Sequence, residues 1–155
     1  MTAVAPRRLG LEELISVLIA EHAEIRQDLM DLEKSVDRRD YSSSAMTLER
    51  LDRLFRQHIA DEEAQVLRFL IGAYGVKGAN EAILVFRQHR PIYLLMTEVK
   101  ELVSLSPEEL ASNEAKLKSM LETHARTEET DVFPMALSTL NRTREKPGLG
   151  KDVSR

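Results

Sequence analysis

Two short stretches of the chain, His58-Ile-Ala-Asp-Glu62 and His124-Ala-Arg-Thr-Glu128, each set an imidazole four residues ahead of a carboxylate. On a helix that gap puts both side chains on one face, one turn apart, where they can reach a common ion. The two remaining histidines, His22 and His89, stand 36 and 35 residues before His58 and His124. The chain therefore reads as two halves, each with one lone histidine followed by one H-x-x-x-E. The halves echo each other locally as well: H-I-A-D-E-E-A-Q-V-L-R-F resembles H-A-R-T-E-E-T-D-V-F, and E-H-A-E-I-R more weakly resembles Q-H-R-P-I-Y. Repetition of this kind marks a duplicated structural unit.

All six of these polar residues fall on apolar stripes, at positions a heptad-like pattern reserves for the core. An unpaired buried carboxylate costs several kcal/mol, so two of them require compensation, and a metal supplies it. Two related halves, each giving two imidazoles and one carboxylate, suit two metal ions. Glu62 and Glu128 are assigned as bridges, and His22, His58, His89 and His124 as terminal ligands. Nitrogen and oxygen donors without sulfur suit iron or manganese, and zinc is also accommodated. The plainer alternative is a metal-free bundle acting through partners, in which these residues form hydrogen-bonded or ionic pairs that set helix register. One such pair would be an ordinary core feature; two pairs plus two lone histidines, all in register, would be a costly one. Glu63 and Glu129 point about 100° away from the bridges. Ion pairs at the surface or between helices are the favoured reading for them, with orientation of a ligating imidazole as the alternative. Asp61 and Asp131 read as structural or exposed.

The elements that must carry these residues emerge from the same spacing. The first stripe is Leu11, Leu14, Leu18, His22, Ile25, Leu29, Leu32 and Val36, on a helix from about Leu11 to Arg39. The second follows an Asp40–Ser44 turn and reads Leu48, Leu51, Phe55, His58, Glu62, Val66 and Phe69. The third begins after a glycine-rich loop, Gly72–Gly78, and reads Ala82, Phe86, His89, Tyr93, Met96 and Val103. The fourth opens at Ser106-Pro107-Glu108-Glu109, where Ser106 and Glu109 have the spacing of a capping box and Pro107 suits the first helical position. Its stripe is Leu110, Leu117, Leu121, His124, Glu128, Val132 and Met135. Pro91 and Pro134 lie inside helices and should loosen a turn, either aiming ligands or simply adjusting packing. Helices of about 28–34 residues, or roughly 40–50 Å, joined by short loops predict an all-α, up-down-up-down antiparallel four-helix bundle. The bundle spans residues 11–141, between mobile terminal segments 1–10 and 142–155. The basic residues of the tail (Arg142, Arg144, Lys146, Lys151, Arg155) read as a solvated terminus.

Bulk properties fit one domain. The 155 residues are 43% hydrophobic and 31% charged, with only 6 Gly and 5 Pro, which leaves long uninterrupted stretches for helices. The net charge of -4 is made of interspersed signs, so no basic face for nucleic acid stands out. The absence of cysteine excludes disulfides, iron–sulfur clusters and thiolate zinc sites. The opening MTAVAPRRLG lacks the apolar core of a signal peptide, and no run of about 18 apolar residues offers a membrane span, so a cytoplasmic location without membrane contact is expected.

In its order of motifs the chain resembles the hemerythrin-like (HHE cation-binding) family: a histidine on the first helix, H-x-x-x-E on the second, a histidine on the third, H-x-x-x-E on the fourth. The resemblance covers about residues 11–140. It implies a non-haem di-iron centre, two iron ions bridged by Glu62 and Glu128 and by an oxo or hydroxo group. The work it implies is binding or reacting with small oxidants (dioxygen, peroxide, nitric oxide) or handling iron; whether that includes enzymatic turnover is left open, as is the oligomeric state. Oxygen-carrying members offer H-x-x-x-H on the third helix, whereas this chain has His89-Arg-Pro-Ile-Tyr93. With the fifth histidine replaced, the ligand count falls to four nitrogens and two carboxylates, and the two metals become more nearly equivalent. Tyr93 is a candidate phenolate ligand, with a hydrogen-bonding role beside the ligands or plain core filling as alternatives. The ferritin-like di-iron pattern, E-x-x-H on two helices, is not met: the residues three before the histidines are Ile19, Phe55, Phe86 and Leu121.

Overall fold

The computed structural model describes residues 4–145. Among these the regular structure is helical throughout, in four long helices. We number them α1 (Leu11–Asp37), α2 (Tyr41–Gly78), α3 (Asn80–Leu105) and α4 (residues 110–145). Lys146, Lys151 and Arg155 of the basic tail lie outside the described residues. α4 continues past residue 141, and within its last turn Arg144 pairs with Glu12 at 2.6 Å.

The helix junctions follow from local chemistry. Asp40 caps α2, its carboxylate accepting from the Ser43 amide at 3.2 Å and the Ser43 hydroxyl at 2.7 Å. The helix therefore starts at Tyr41, earlier than a turn through Ser44 would allow. Between α2 and α3 only Gly75 takes a left-handed backbone, φ 74°, so the expected glycine loop contracts to one break inside helical residues. The chain turns by 113° between α2 and α3. At the start of α4 the expected capping box does not form. Ser106 makes no side-chain cap bond, and Pro107–Glu109 instead forms a 3-10 turn closed by the Glu109 amide on the Ser106 carbonyl at 3.0 Å.

Side-chain partners run in opposite order along neighbouring helices. Asp28 pairs with Arg50 and Glu21 with His58 between α1 and α2. Lys100 pairs with Asp52 and His89 with Glu63 between α2 and α3. Glu12, Glu33 and Arg26 of α1 meet Arg144, Lys118 and Glu129 of α4. The apolar stripes build two separate clusters. One gathers Leu14, Leu18, Val66, Leu70, Phe86, Val132 and Phe133; the other gathers Ile25, Leu29, Leu51, Phe55, Ile92, Met96 and Leu121. Each helix passes from one cluster to the other through the residues His22, His58–Glu62, His89 and His124–Glu128, so a polar layer lies between two apolar ones. Among the described residues no single helix is long and apolar enough to cross a membrane.

Candidate metal centre

The layer is closed to solvent: His22, His58, Glu62, His89, His124 and Glu128 each expose 3% of their surface or less. Helical spacing brings each H-x-x-x-E pair to one face, and both glutamates begin a π-helical stretch, Glu62–Leu67 in α2 and Glu128–Val132 in α4. Such wide turns are frequent at functional sites. Pro134 supplies a cause for the second, since it has no amide to return to the Thr130 carbonyl.

The six side chains meet in two four-residue groups that share both glutamates, His22–His58–Glu62–Glu128 and Glu62–His89–His124–Glu128. Within each group the potential donor atoms lie within 4.8 Å of one another. The carboxylates divide their oxygens between the groups. Glu128 Oε1 is 2.9 Å from His22 Nε2 and 3.5 Å from His58 Nε2, while its Oε2 is 3.1 Å from His124 Nε2. Glu62 Oε2 is 3.4 Å from His58 Nε2, and its Oε1 is 3.0 Å from His89 Nε2.

Several of these atoms have no hydrogen-bond partner: both oxygens of Glu62, Glu128 Oε2, and Nε2 of His89 and of His124. His89 Nε2 and Glu62 Oε1 are close, yet they are not aligned as donor and acceptor. Buried polar atoms are normally satisfied, and each one left bare costs about 1–3 kcal/mol. His22 Nε2 and His58 Nε2 lie 3.2 Å apart. Two nitrogens each about 2.1 Å from one ion would be separated by roughly 3.0–3.4 Å. The donor set and its bare atoms thus fit two cations.

Every imidazole has its other nitrogen engaged, which turns Nε2 inward. His22 Nδ1 donates to Glu129 at 2.7 Å, His58 Nδ1 to Glu21 at 3.0 Å, His89 Nδ1 to Glu63 at 2.7 Å and His124 Nδ1 to the Gln88 amide oxygen at 2.9 Å. Glu63 and Glu129, read from sequence chiefly as ion-pair residues away from the centre, therefore hold ring orientation. Glu21 and Gln88 carried no assignment; the only available signal was their place before each lone histidine in the E-H and Q-H echo. Asp61 is fully buried, and Arg7 donates to it through its amide and its guanidinium, both at 2.7 Å. Asp131 is exposed. Tyr93 is half-buried and packs against the cluster of Ile92 and Met96. Beyond Gln88 the buried face runs through Ile92, Leu95, Met96 and Val99, which leaves Tyr93 at its edge.

The buried carboxylates and imidazoles shift one another's proton affinities. Burial pulls the His58 imidazole down, but Glu62, Glu128 and Glu21 outweigh it and hold His58 well above its ordinary value. His89 is raised in the same way by Glu128, Glu62 and Glu63 against its burial. Burial pushes Glu128 up, and the surrounding groups, His124, His22 and His58 among them, more than reverse this. Glu21 and Glu129 are likewise lowered against their burial, Glu21 by His58 and Arg7, Glu129 by Arg26 and His22.

Residues 1–70 match the model of the hemerythrin HHE cation-binding domain family. The resemblance seen in the motifs is thereby shown over α1 and most of α2, the stretch that carries His22, His58 and Glu62. No curated protein and no solved structure matches the chain.

Proposed function

We propose that the chain is a di-iron protein of hemerythrin type that binds or reacts with small oxidants, on an up-down-up-down antiparallel bundle. The observation that carries this reading is the pair of four-donor groups sharing Glu62 and Glu128, with buried donor atoms left bare. His22, His58, His89 and His124 would be the terminal ligands and the two glutamates the bridges. Iron bound there would supply one-electron redox chemistry and open coordination positions, since four protein donors do not fill an iron coordination sphere.

The chain's own residues set the conditions for that chemistry. Glu129, Glu21, Glu63 and Gln88 fix the imidazole planes and tautomers. Phe133 stacks on His22 at 5.8 Å between ring centroids, and Phe86 stacks on His89 at 5.2 Å. These rings and the two apolar clusters exclude bulk water, which strengthens every charge interaction inside. A centre enclosed to this degree selects ligands of two or three atoms, which favours dioxygen, peroxide or nitric oxide over larger substrates. Tyr93 stays in this proposal as the candidate ligand its spacing from His89 suggests, although its side chain packs against the apolar cluster of Ile92 and Met96.

The direct contact of His22 with Glu128 at 2.9 Å favours a second reading, a metal-free bundle whose buried pairs set register. One experiment separates them: anaerobic loading with iron(II), metal analysis, then absorption spectra on adding oxygen, peroxide and nitric oxide in turn. The di-iron reading predicts two irons per chain and ligand-to-metal charge-transfer bands in the near ultraviolet after oxidation. If Tyr93 ligates, a further visible band disappears in Tyr93→Phe. Less than about a tenth of an ion per folded chain would establish the metal-free bundle instead.

A further inference from the structure

The centre is built on a repeat, and among the residues that accept from its imidazoles the repeat is broken at one position. His22 corresponds to His89, His58 to His124, Glu62 to Glu128 and Glu63 to Glu129, and each corresponding pair plays the same part. Glu63 holds His89, and Glu129 holds His22. The residue before each lone histidine holds the histidine of the H-x-x-x-E motif in its own half, but here the two halves differ. Glu21 accepts from His58 through a carboxylate, whereas Gln88 accepts from His124 through a neutral amide.

A second difference reinforces the first. Both acceptors beside His22 and His58 are clamped by arginine: Arg26 donates to both oxygens of Glu129 at 3.0 and 3.2 Å, and Arg7 donates to Glu21 at 2.9 Å. Arg7 is itself held by Asp61, and its carbonyl accepts from Gln65 at 2.6 Å. Glu63 leaves 52% of its side chain exposed and, among the described residues, pairs only with His89.

We propose that the two ion positions are unequal, the His22–His58 position filling first and holding its ion more tightly than the His89–His124 position. This rests on the two-metal reading above. A carboxylate accepting from Nδ1–H pushes more electron density into the ring than an amide does, making the Nε2 donor stronger. The arginines cancel much of the added charge at a distance, so the contact acceptor carries the electronic difference. The clamps add a second contribution, because ligands already fixed in position lose less freedom when an ion arrives. Outer partners of ligating histidines typically change metal affinity about 10–100-fold.

The test is an anaerobic titration of the metal-free full-length protein with cobalt(II), followed by d–d absorption and a competing chelator. Two steps separated by at least about tenfold are expected. His124→Ala should keep the tight step, and His58→Ala should lose it. Glu21→Gln should weaken the first step about tenfold, and Gln88→Glu should tighten the second by a similar factor. Should the histidine variants not fold, the near-isosteric pair Glu21→Gln and Gln88→Glu decides alone. Equal steps, a tight step lost in His124→Ala but kept in His58→Ala, or steps unmoved in both near-isosteric variants would overturn the inequality while leaving a two-metal centre. No cobalt bound by folded wild-type protein would overturn both.

Discussion

At the scale of the residue, protons and metal ions compete for the same buried donors, and this gives opposite pH dependences to the empty and loaded protein. His58 and His89 have folded values above their unfolded value of about 6.5. Their pairing therefore contributes stability that is fully present below about pH 6.5 and is lost as pH rises through the raised values. Glu128 is depressed, so its contribution is present above about pH 4.3 and is lost as pH falls through the lowered value. Metal-free protein should accordingly be most stable in the mildly acidic range and lose stability toward pH 9, measured by urea unfolding at pH 6 and pH 9. Apparent metal affinity should move the other way and rise with pH, because binding displaces the imidazole protons. A metal-free stability independent of pH between 6 and 9 would show that these histidines are not paired as described.

Among the elements, the stripes of α1, α2 and α4 were legible because each polar ligand replaces an apolar residue without breaking the 3- and 4-residue steps. That of α3 was legible as far as His89, beyond which the buried face runs through Ile92, Leu95, Met96 and Val99 and leaves Tyr93 and Val103 only partly buried. The π-helical turns at Glu62 and Glu128 were not, since a widened turn leaves the sequence spacing unchanged. Pro134 was the one visible flag, and it fitted a packing adjustment equally well. The partners of the imidazole Nδ1 atoms were hidden for a related reason. Glu63 lies on α2 and Glu129 on α4, and periodicity along one helix does not say which residue of another it faces. A buried carboxylate away from the centre tests the packing of α1 against α4. Glu114 exposes 4% of its surface in the wall of a groove that also holds Glu33, Lys118 and Glu122. Burial, with Glu33 nearby, pushes it up to about 7. A carboxyl raised in the folded state destabilises once ionised, so stability falls as pH rises from about 4.3 to 7 and stays lowered above. Discounted for the solvent in the groove, the penalty is about 1–2 kcal/mol. Glu114→Gln should recover that amount at pH 8 and little at pH 5, read from urea midpoints. Equal effects at the two pH values would contradict the assignment.

For the whole molecule, the polar layer between two apolar clusters makes the bundle depend on what fills the layer. Each cluster can be assembled from its own stripe residues, but between the clusters lie both Glu62 oxygens, Glu128 Oε2 and Nε2 of His89 and His124, which lack hydrogen-bond partners. Ligand binding stabilises by mass action, about 4 kcal/mol when free metal is a thousandfold above its dissociation constant. At roughly 2–4 °C per kcal/mol for a chain of this size, chelation should lower the melting temperature by about 8–16 °C. Added zinc(II) or iron(II) should restore it. A melting temperature indifferent to chelator would mean that the layer is satisfied without ions. The most direct test is anomalous diffraction at the iron edge from crystals of the iron-loaded protein. Two peaks are expected inside the bundle, about 3.5–4 Å apart, one against His22 and His58, the other against His89 and His124, with Glu62 and Glu128 reaching both. A single peak, or iron bound only at the surface while the six side chains contact one another, would contradict a two-metal centre.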